Sequence, residues 1–431
     1  MINYIESIDH YLRRLFPITR SITGNGNRET LKILQELIPL QIKEYPSGQR
    51  VYDWTIPREW NIKDAWIKHS SGQKIVNFNN SNVHVVGYSM PVHQKMSFSE
   101  LISHLYYLED MPKAIPYRTT YYHENWGFCL SYEDFLKHFD TDGEYEVFID
   151  STLTNGSLTT GELIVPGKGK EEILISTYIC HPSLANDNLS GMVMTAFLAK
   201  ELLKRKLSFT CRIIFVPETI GAIAYCANNE EAMKTIDCGF VVCCVGGPAK
   251  FGYKQSFNQE HFINRAVEKI FRKNGLDFTT YPFDLNGSDE RQYSSQGFRI
   301  NTGSIVKDKY YEYDYYHTSF DNLDFIKAEY INDSLNLYLQ VMEELDRRTV
   351  YKNLTPNCEV MLSKHGLYPK IGAAQFPGKK PLSELDIIRW LLFYSDGRTS
   401  LQEIADKLDI DIDQLYSAAE KLREKRLLKR V

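Results

Sequence analysis

The chain has 431 residues, which is enough for about three domains of common size. Its 43% hydrophobic and 24% charged residues are typical of a folded globular protein and exclude a disordered, collagen-like or small disulfide-rich one. The 50 Lys and Arg residues against 55 Asp and Glu give a formal net charge of −5, so the chain as a whole has no basic character that would favour nucleic acid or a membrane surface.

The start of the chain and its cysteines bear on the cellular compartment. The opening segment MINYIESIDHYLRRLF is interrupted by Glu6 and Asp9, unlike the apolar region of a signal peptide. No apolar run approaches the roughly 20 residues that span a bilayer. The eight cysteines include no CxxC pair. Several lie in apolar strand-like runs, where free thiols behave as small hydrophobic side chains, which indicates a reduced protein. We therefore expect a cytoplasmic protein without a membrane segment.

The first 150 residues contain two regions of different character. Residues 1–50 predict two amphipathic helices, YIESIDHYLRRLF and RETLKILQELI, joined by the turn-rich SITGNGN. Residues 51–150 hold four of the five tryptophans and short alternating runs such as SNVHVVGYS and EYEVFID, which predict a compact β-rich module. Its aromatic side chains could stack on a sugar or a peptide, but we favour the interpretation that they fill a small core.

Residues 151–350 alternate between strand and helix patterns. The predicted strands are EEILISTYIC, TCRIIFVP, CGFVVCCV and RINTGSIV, and the predicted helices include GMVMTAFLAKELLKRK, FINRAVEKIFRKNG and AEYINDSLNLYLQVMEELDRR. This alternation predicts an α/β fold with a mixed, mostly parallel sheet and helices on both faces. The helices need more sheet than this segment supplies, so we expect residues 1–50 to complete the same domain, with residues 51–150 inserted into it.

Residues 356–431 predict a separate small domain. The Pro/Gly-containing stretch AAQFPGKKP precedes three helix patterns, LSELDIIRWLLFYSD, SLQEIADKLD and DIDQLYSAAEKLREKRLL, whose middle pair is typical of a helix-turn-helix in a winged-helix domain. Lys and Glu interleave along the last helix, and Asp409, Asp411 and Asp413 lie at its start. Such mixed charge usually marks a solvated face, so we expect a packing or protein-contact role rather than DNA binding.

Residues capable of metal binding follow several predicted strands, where open α/β sheets bind ligands. His181 and Asp187 follow ILISTYIC, Glu218 follows TCRIIFVP, and His317 precedes the last long helix. Imidazole and carboxylate groups are ligands that zinc favours. Pro182 keeps His181 extended, and Ser190 is a suitable N-cap that would leave Asp187 in the loop. Taken singly, each residue is more often structural, and only the combination predicts a metal site.

The segment NGSDERQY supplies candidate substrate-binding residues. Asp289 and Glu290 could bind an ammonium group of the substrate, and Arg291 could bind a carboxylate. An ion-pair network within the protein is an equally good interpretation of these three. Tyr293 could line the same cleft, although packing is the usual role of such a tyrosine.

Four ordered segments resemble the metal-site segments of the zinc-dependent aminopeptidase superfamily, which also contains the glutaminyl cyclases. They are HPSLANDNLSG, PETIGAIAY, SDERQYSSQGF and YHTSFDNLD. The whole chain also resembles bacterial proteins with an aminopeptidase-like domain, an inserted β module and a C-terminal winged helix, which are often described in connection with polysaccharide biosynthesis. The phrases RSITG, DWTIPREWNI, IPYRTTYY and NWGFCLS carry this second resemblance.

The resemblance implies a metal-dependent amide-bond hydrolase. His181 and His317 align with metal histidines, Asp187 with the aspartate that bridges two zinc ions in two-metal enzymes, and Glu218 with the general base. The sequence departs from the pattern at two positions: Thr219 replaces a second glutamate that is normally a ligand, and Cys244 occupies the place of an aspartate. We therefore expect one zinc ion per chain.

The predicted ligands of that ion are His181, Asp187 and His317, with Cys244 as a candidate additional ligand. The substrate would be a small molecule or a peptide, and a homo-oligomer is open. Two alternatives remain at this point. The same metal site could act on an amino-sugar or glycan-linked amide, or the chain could be a non-catalytic, metal-stabilised binding scaffold whose winged helix contacts a partner or DNA.

Overall fold

The computed structural model describes residues 2–368 and 381–431. The chain divides after Met342 into two compact units. The Pro/Gly-containing residues 373–380 lie outside the described part. None of the helices in the two described ranges is long and apolar enough to cross a membrane.

The first unit contains most of the secondary structure. It begins with α1 (Ile5–Leu15), α2 (Asn25–Leu34) and β1 (Gln41–Pro46). There follow β2 (Arg50–Val51), β3 (Trp54–Thr55), β4 (Glu59–His69), β5 (Lys74–Asn77), β6 (Val92–Ser97), α3 (Phe98–Leu101), β7 (Leu105–Tyr106), β8 (Phe128–Cys129), α4 (Tyr132–His138) and β9 (Glu144–Thr154). The remaining elements are β10 (Ser157–Val165), β11 (Glu172–Tyr178), α5 (Gly191–Leu202), β12 (Thr210–Val216), α6 (Ile220–Asn228), α7 (Glu230–Met233), β13 (Cys238–Val241), β14 (Phe251–Lys254), α8 (Phe262–Lys273), β15 (Phe278–Tyr281), α9 (Glu290–Tyr293), β16 (Asn301–Lys307) and α10 (Ala328–Asp346).

The main sheet has eight strands in the order β1-β10-β12-β11-β13-β16-β14-β15. β12, β11, β13 and β16 run parallel to one another, and β14 and β15 are parallel to each other. β1 pairs antiparallel with β10, β10 with β12, and β14 with β16. The sheet is therefore mixed and mostly parallel, as the sequence predicted.

Both faces of the central strand β11 are covered. Its successive residues Leu174 and Ile175 point to opposite faces, and both are fully buried. Leu174 shares one core with Ile214 of β12 and Ile223 of α6, and α5 also packs against β11. Burial on both faces explains why this strand and β12 read as continuous apolar runs in the sequence. The predicted α/β fold class is confirmed.

Residues 50–154 form a separate layer of β structure within the first unit. β5, β4, β9 and β6 make an antiparallel sheet in that order, and its core includes Ala65, Ile67, Val147 and Ile149. The chain enters this region from β1 and leaves it into β10, which are themselves neighbours in the main sheet. Some aromatic residues of this region fill the core and others lie at the surface: Trp60 is buried, while Trp54 is exposed.

In residues 343–368 and 381–431, the described part of the second unit, three α-helices accompany a three-stranded sheet. Its elements are β17 (Val350–Asn353), α11 (Glu384–Tyr394), β18 (Asp396–Ser400), α12 (Leu401–Leu408), α13 (Ile412–Glu424) and β19 (Leu428–Arg430). The strand order is β18-β17-β19, and Leu391, Ile404, Leu415 and Leu422 are buried in its core. Ser383 and Ser400 start α11 and α12 with reciprocal capping boxes, which satisfy N–H groups at each helix start.

Candidate metal centre

The residues predicted as metal ligands lie beyond the carboxyl ends of parallel strands. His181 follows β11, Asp187 lies in the turn between β11 and α5, and His317 lies between β16 and α10. One ligand atom of each residue lies within 4.8 Å of the other two. Side chains from distant parts of the sequence are thus neighbours at one edge of the sheet.

The carboxylate of Asp187 lies between the two imidazoles. Its Oδ2 is 3.1 Å from His317 Nε2 and 3.9 Å from His181 Nε2. Its other oxygen, Oδ1, accepts a hydrogen bond from the hydroxyl of Tyr178. The carboxylate therefore presents one oxygen to the imidazoles while the other is engaged with the protein.

Two buried residues that the sequence analysis did not single out hold the ligands in place. Asp321 accepts hydrogen bonds from the backbone N–H groups of Asn186, at 2.6 Å, and Asp187, at 3.0 Å. Arg20 donates from Nε to the carbonyl oxygen of His181 at 2.8 Å. Both belong to segments quoted above, YHTSFDNLD and RSITG, but a sequence does not show which backbone groups a side chain reaches.

Three tyrosines pack against the imidazoles. The ring centroid of Tyr117 is 5.4 Å from that of His181 and 5.2 Å from that of His317. The Tyr178 ring lies 5.2 Å from His181, and Tyr316 stacks on His317 at 3.9 Å. These rings restrict the orientation of both imidazoles and reduce the water around them. Tyr117 comes from the inserted residues, so that module contributes directly to the surroundings of the centre.

His181 and Asp187 have the protonation states that metal binding requires. Burial lowers the pKa of His181 to about 4, so its imidazole is neutral at pH 7. Burial raises the pKa of Asp187, but the imidazoles and the Tyr178 hydroxyl outweigh this effect and the pKa falls to about 2. A neutral imidazole and an ionised carboxylate are the forms that coordinate a cation.

The arrangement fits a zinc ion. His317 Nε2 is buried, and its nearest charged neighbour is Asp187 Oδ2 at 3.1 Å, with no hydrogen bond assigned to it among the described residues. A buried nitrogen without a partner needs an explanation, and a cation beside Asp187 Oδ2 would supply one. Two imidazole nitrogens and one carboxylate oxygen match the three-ligand sets of catalytic zinc. The His317 side chain is 31% exposed, so the group is open to solvent on one side.

Glu218 lies beside this group. It follows β12, its Oε2 is 3.9 Å from His181 Nε2, and its side chain is 28% exposed. Burial and then the negative charge of Asp187 raise the pKa of Glu218 to about 7. The backbone N–H of Glu218 donates to Cys180 Sγ at 3.2 Å. Cys180, His181 and Glu218 form a second, overlapping group of side chains of the metal-binding type.

Glu290 and Tyr293 are enclosed by the protein. Glu290 Oε1 accepts hydrogen bonds from the hydroxyls of Ser304, at 2.8 Å, and Tyr310, at 3.1 Å. The hydroxyl of Tyr293 lies 2.8 Å from that of Ser176 in β11. Both side chains are closed to solvent. These contacts are those of enclosed residues, and the substrate-binding role of Glu290 and Tyr293 stays a prediction.

Asp289 and Arg291 contact the residue after Glu218. Asp289 Oδ1 accepts a hydrogen bond from the backbone N–H of Thr219 at 2.7 Å, and Arg291 Nη2 lies 3.4 Å from Thr219 Oγ1. Asp289 is fully buried, and burial together with the charge of Glu218 raises its pKa well above the usual range. The predicted binding of a substrate ammonium by Asp289 is therefore not supported, whereas Arg291 is partly exposed.

Cys244 and Ser190 differ from their expected surroundings. The thiol of Cys244 is 4.0 Å from Asp187 Oδ1, on the side away from the imidazoles, and it belongs to neither group of metal-type side chains among the described residues. Ser190 does not cap α5. Its backbone is already helical, and its hydroxyl donates to the carbonyl oxygen of Asn186 at 2.8 Å. The non-helical residues before α5 are Asp187 and Asn188.

Comparison with known proteins identifies the family. Residues 9–348 match the family described as Domain of unknown function (DUF4910), and residues 349–430 match a winged helix-turn-helix family. A protein of Clostridium acetobutylicum, named as a polysaccharide biosynthesis protein with an aminopeptidase-like domain, is 43% identical over 424 residues, which cover 98% of this chain and 96% of that protein. The chain therefore belongs to the DUF4910 family.

Solved structures share the fold. A crystal structure of a protein from Clostridium acetobutylicum is 41% identical, with a TM-score of 0.81 and coverage of 99% of this chain and 96% of that one. A zinc aminopeptidase from Bacillus subtilis has a TM-score of 0.57 at 13% identity, covering 78% of this chain and 94% of its own, and this likeness concerns the fold alone. The resemblance to aminopeptidase-like bacterial proteins and the C-terminal winged helix are both confirmed.

Proposed function

We propose that the protein is a metal-dependent, aminopeptidase-like amide-bond hydrolase. The observation that carries this proposal is the convergence of His181, Asp187 and His317 around one carboxylate oxygen, with Glu218 beside them. The aminopeptidase-like fold supports it, since a structure with this fold is named as a zinc aminopeptidase. The catalytic domain in this proposal comprises residues 1–50 and 151–350.

We assign one zinc ion to the centre. Asp187 Oδ1, which would have to face a second ion in a two-metal site, instead accepts the Tyr178 hydroxyl. Thr219 offers no carboxylate where the resemblance implies a ligand. The remaining donors are two nitrogens and one oxygen, a set that leaves a position open for water or substrate.

The chain's own residues supply the proton transfer. When bound, zinc would lower the pKa of a water molecule towards about 7 and polarise the substrate carbonyl. Glu218 takes the proton of the attacking water and passes it to the amine that leaves when the C–N bond breaks. A carboxylate with a pKa of about 7 suits both steps, because it accepts and releases a proton near neutral pH.

A free peptide or aminoacyl amide is the first substrate candidate. In this proposal Arg291, the partly exposed member of the four residues predicted to bind substrate, would attract a substrate carboxylate. An amide on an amino sugar or glycan is the second. It is favoured by the name of the Clostridium acetobutylicum relative and by the exposed aromatic pair Trp54 and Tyr122, whose ring centroids are 5.6 Å apart.

Metal analysis and a substrate panel test the proposal. Protein purified without chelator should contain about one zinc per chain and should hydrolyse aminoacyl reporters, dipeptides or N-acyl sugars, and the panel separates the two substrate candidates. His181→Ala should lose both zinc and turnover, while His93→Ala, which changes an exposed histidine of β6, should keep both. Absence of a transition metal from the wild type, with no difference between these variants, would refute the metal site.

A further inference from the structure

The residue after Glu218 has a strained backbone. Thr219 has φ 63° and ψ −80°, in the left-handed half of conformational space that β-branched residues avoid. Such conformations persist only where the surrounding structure holds them, and they concentrate at functional sites. Thr219 lies between the predicted general base and the first residue of α6, so its conformation fixes how Glu218 is oriented relative to that helix.

Two side chains from the start of α9 hold Thr219. Asp289 Oδ1 accepts its backbone N–H at 2.7 Å, and Arg291 Nη2 approaches its hydroxyl at 3.4 Å. Arg291 is itself anchored, since Nη1 donates to the carbonyl oxygen of Leu285 at 3.2 Å. These contacts therefore restrain both the backbone and the side chain of Thr219.

The turn is held on its other sides as well. The N–H of Glu218 donates to Cys180 Sγ at 3.2 Å, so two consecutive N–H groups are each bound by a buried side chain from elsewhere in the sequence. The carbonyl oxygen of Thr219 accepts the N–H of Ile223 at 2.9 Å and thereby belongs to α6. Because Thr219 is thereby tied to α6, a change of its φ would displace the Glu218 carboxylate from its position beside His181.

The burial of Asp289 agrees with this role and not with substrate contact. Its side chain is closed to solvent, and its second oxygen, Oδ2, has no hydrogen-bond partner among the described residues. A buried carboxylate with one oxygen unsatisfied is costly to fold, so it requires a role beyond packing.

We propose that Asp289 and Arg291 are positioning residues that hold Thr219 in its left-handed conformation and thereby keep the Glu218 carboxylate beside the metal group. The inference rests on the proposed function for the role of Glu218. It replaces the substrate-binding role that the sequence suggested for Asp289, and it makes the strained turn part of the catalytic geometry.

Kinetics of the full-length protein test this inference. Asp289→Ala should lower kcat about 10- to 100-fold, since a displacement near 1 Å has effects of this size. Its KM should stay within about threefold of the wild-type value and its zinc content should be unchanged, because the buried Asp289 carboxylate touches neither the substrate nor the ion. Thr219→Gly in the Asp289→Ala background should restore most of kcat, because glycine adopts the left-handed conformation without help.

A matched control separates positioning from stability. Glu201 is a buried carboxylate of α5 that accepts the Tyr4 hydroxyl at 2.6 Å, far in the sequence from this turn. Glu201→Ala should lower the thermal midpoint and leave kcat unchanged. If Asp289→Ala behaves in the same way, or if glycine at position 219 recovers none of its lost kcat, the positioning role is overturned.

Crystal structures distinguish failure of this inference from failure of the proposed function. A wild-type protein without turnover would refute the proposed hydrolase activity. The positioning role would still be tested by a crystal structure of Asp289→Ala. In that structure Thr219 should leave the left-handed region, and Glu218 Oε2 should move away from His181 Nε2. If Asp289→Ala does not fold, Arg291→Ala, at a partly exposed position, should show the same changes to a smaller degree. An unmoved Glu218 in the variant that folds overturns the proposal.

Discussion

The carboxylate of Asp321 and the backbone N–H of Asp187 are joined by a hydrogen bond of 3.0 Å. The same carboxylate accepts the N–H of Asn186 at 2.6 Å and the hydroxyl of Tyr313 at 2.9 Å. One buried side chain thus fixes the turn that presents Asp187 to the two imidazoles.

Loss of this support should weaken zinc binding. Asp321→Ala leaves two buried N–H groups without an acceptor and frees the turn, so zinc affinity should fall about 10- to 100-fold, the usual effect of removing an outer support. Competition with a chelating dye measures the affinity. Asp324→Ala changes an exposed carboxylate in the same segment and should match the wild type. Equal affinities for the two variants would show that the turn does not depend on Asp321.

Replacement of the general base should separate chemistry from metal binding. Glu218→Gln keeps the size and polarity of the side chain but cannot accept the proton of water, so turnover should fall about 10²- to 10⁴-fold. Zinc content should be unchanged, because Glu218 lies outside the proposed ligand set. Glu230→Gln, on the short helix α7, should retain full activity. A fully active Glu218→Gln enzyme would rule out Glu218 as the base.

Zinc should stabilise the first unit. Free zinc at 100 times its Kd would add about 2.7 kcal/mol if the unfolded chain does not bind it. For a unit of this size, this corresponds to a rise of about 5 °C in the midpoint of its thermal transition. Calorimetry with and without zinc measures the shift. His317→Ala should abolish it, since it removes one of three donors, whereas a shift of wild-type size in that variant would place the ion elsewhere.

An ion pair at the start of the inserted module should make stability depend on pH. Arg28 binds Glu59 through Nη1 and Nη2, both at 2.7 Å, and its hydrogen bonds hold the pKa of Glu59 at about 2. The unfolded value is about 4.3, so the contribution is fully present above that pH and is lost as the pH falls towards 2.

Glu59→Gln should therefore lower the free energy of unfolding by about 2 kcal/mol at pH 7, with a smaller difference near pH 3. Urea unfolding at several pH values measures this difference. Glu124→Gln breaks the exposed pair with Arg58 and should cost less than about 1 kcal/mol. A Glu59→Gln deficit that stays constant down to pH 2 would contradict the assigned pKa.

The winged-helix unit should not bind DNA detectably at moderate salt. The start of α13 carries Asp411 as its N-cap and Asp413 in its first turn, so negative charge lies where a recognition helix would meet phosphate. Fluorescence anisotropy with duplex DNA at increasing salt measures this directly. Tight binding that weakens steeply with salt would instead support the binding-scaffold alternative.

The order of elements could be predicted because burial leaves a direct trace in sequence. β11 and β12 are enclosed on both faces and read as unbroken apolar runs. The shortage of strands predicted in residues 151–350 indicated that residues 1–50 complete the sheet, and β1 lies at one edge of that sheet, next to β10. β14 and β15 were not predicted, because a strand of four residues is too short to show the alternation of apolar and polar residues.

The neighbourhood of His181 and Asp187 could be predicted because both follow β11, and open α/β sheets bind ligands at such strand ends. His317 lies in a long loop between β16 and α10, and the resemblance to zinc aminopeptidases indicated it. The surroundings of each side chain could not. Tyr293 pairs with Ser176, and Asp321 binds the turn at Asp187, through contacts between segments far apart in the chain. Such contacts depend on how elements pack, and no local pattern encodes them.

The inserted module begins and ends at two neighbouring strands of the main sheet. Pro46 and Ser157 are paired across β1 and β10, and the N–H of Ser47 donates to the carbonyl oxygen of Gly156 at 2.9 Å. Trp60 and Tyr88 of the module are buried in the same core as Leu174 of β11. A replacement module of another shape would therefore have to refill that core, and it would have to supply a ring where Tyr117 packs against both histidines.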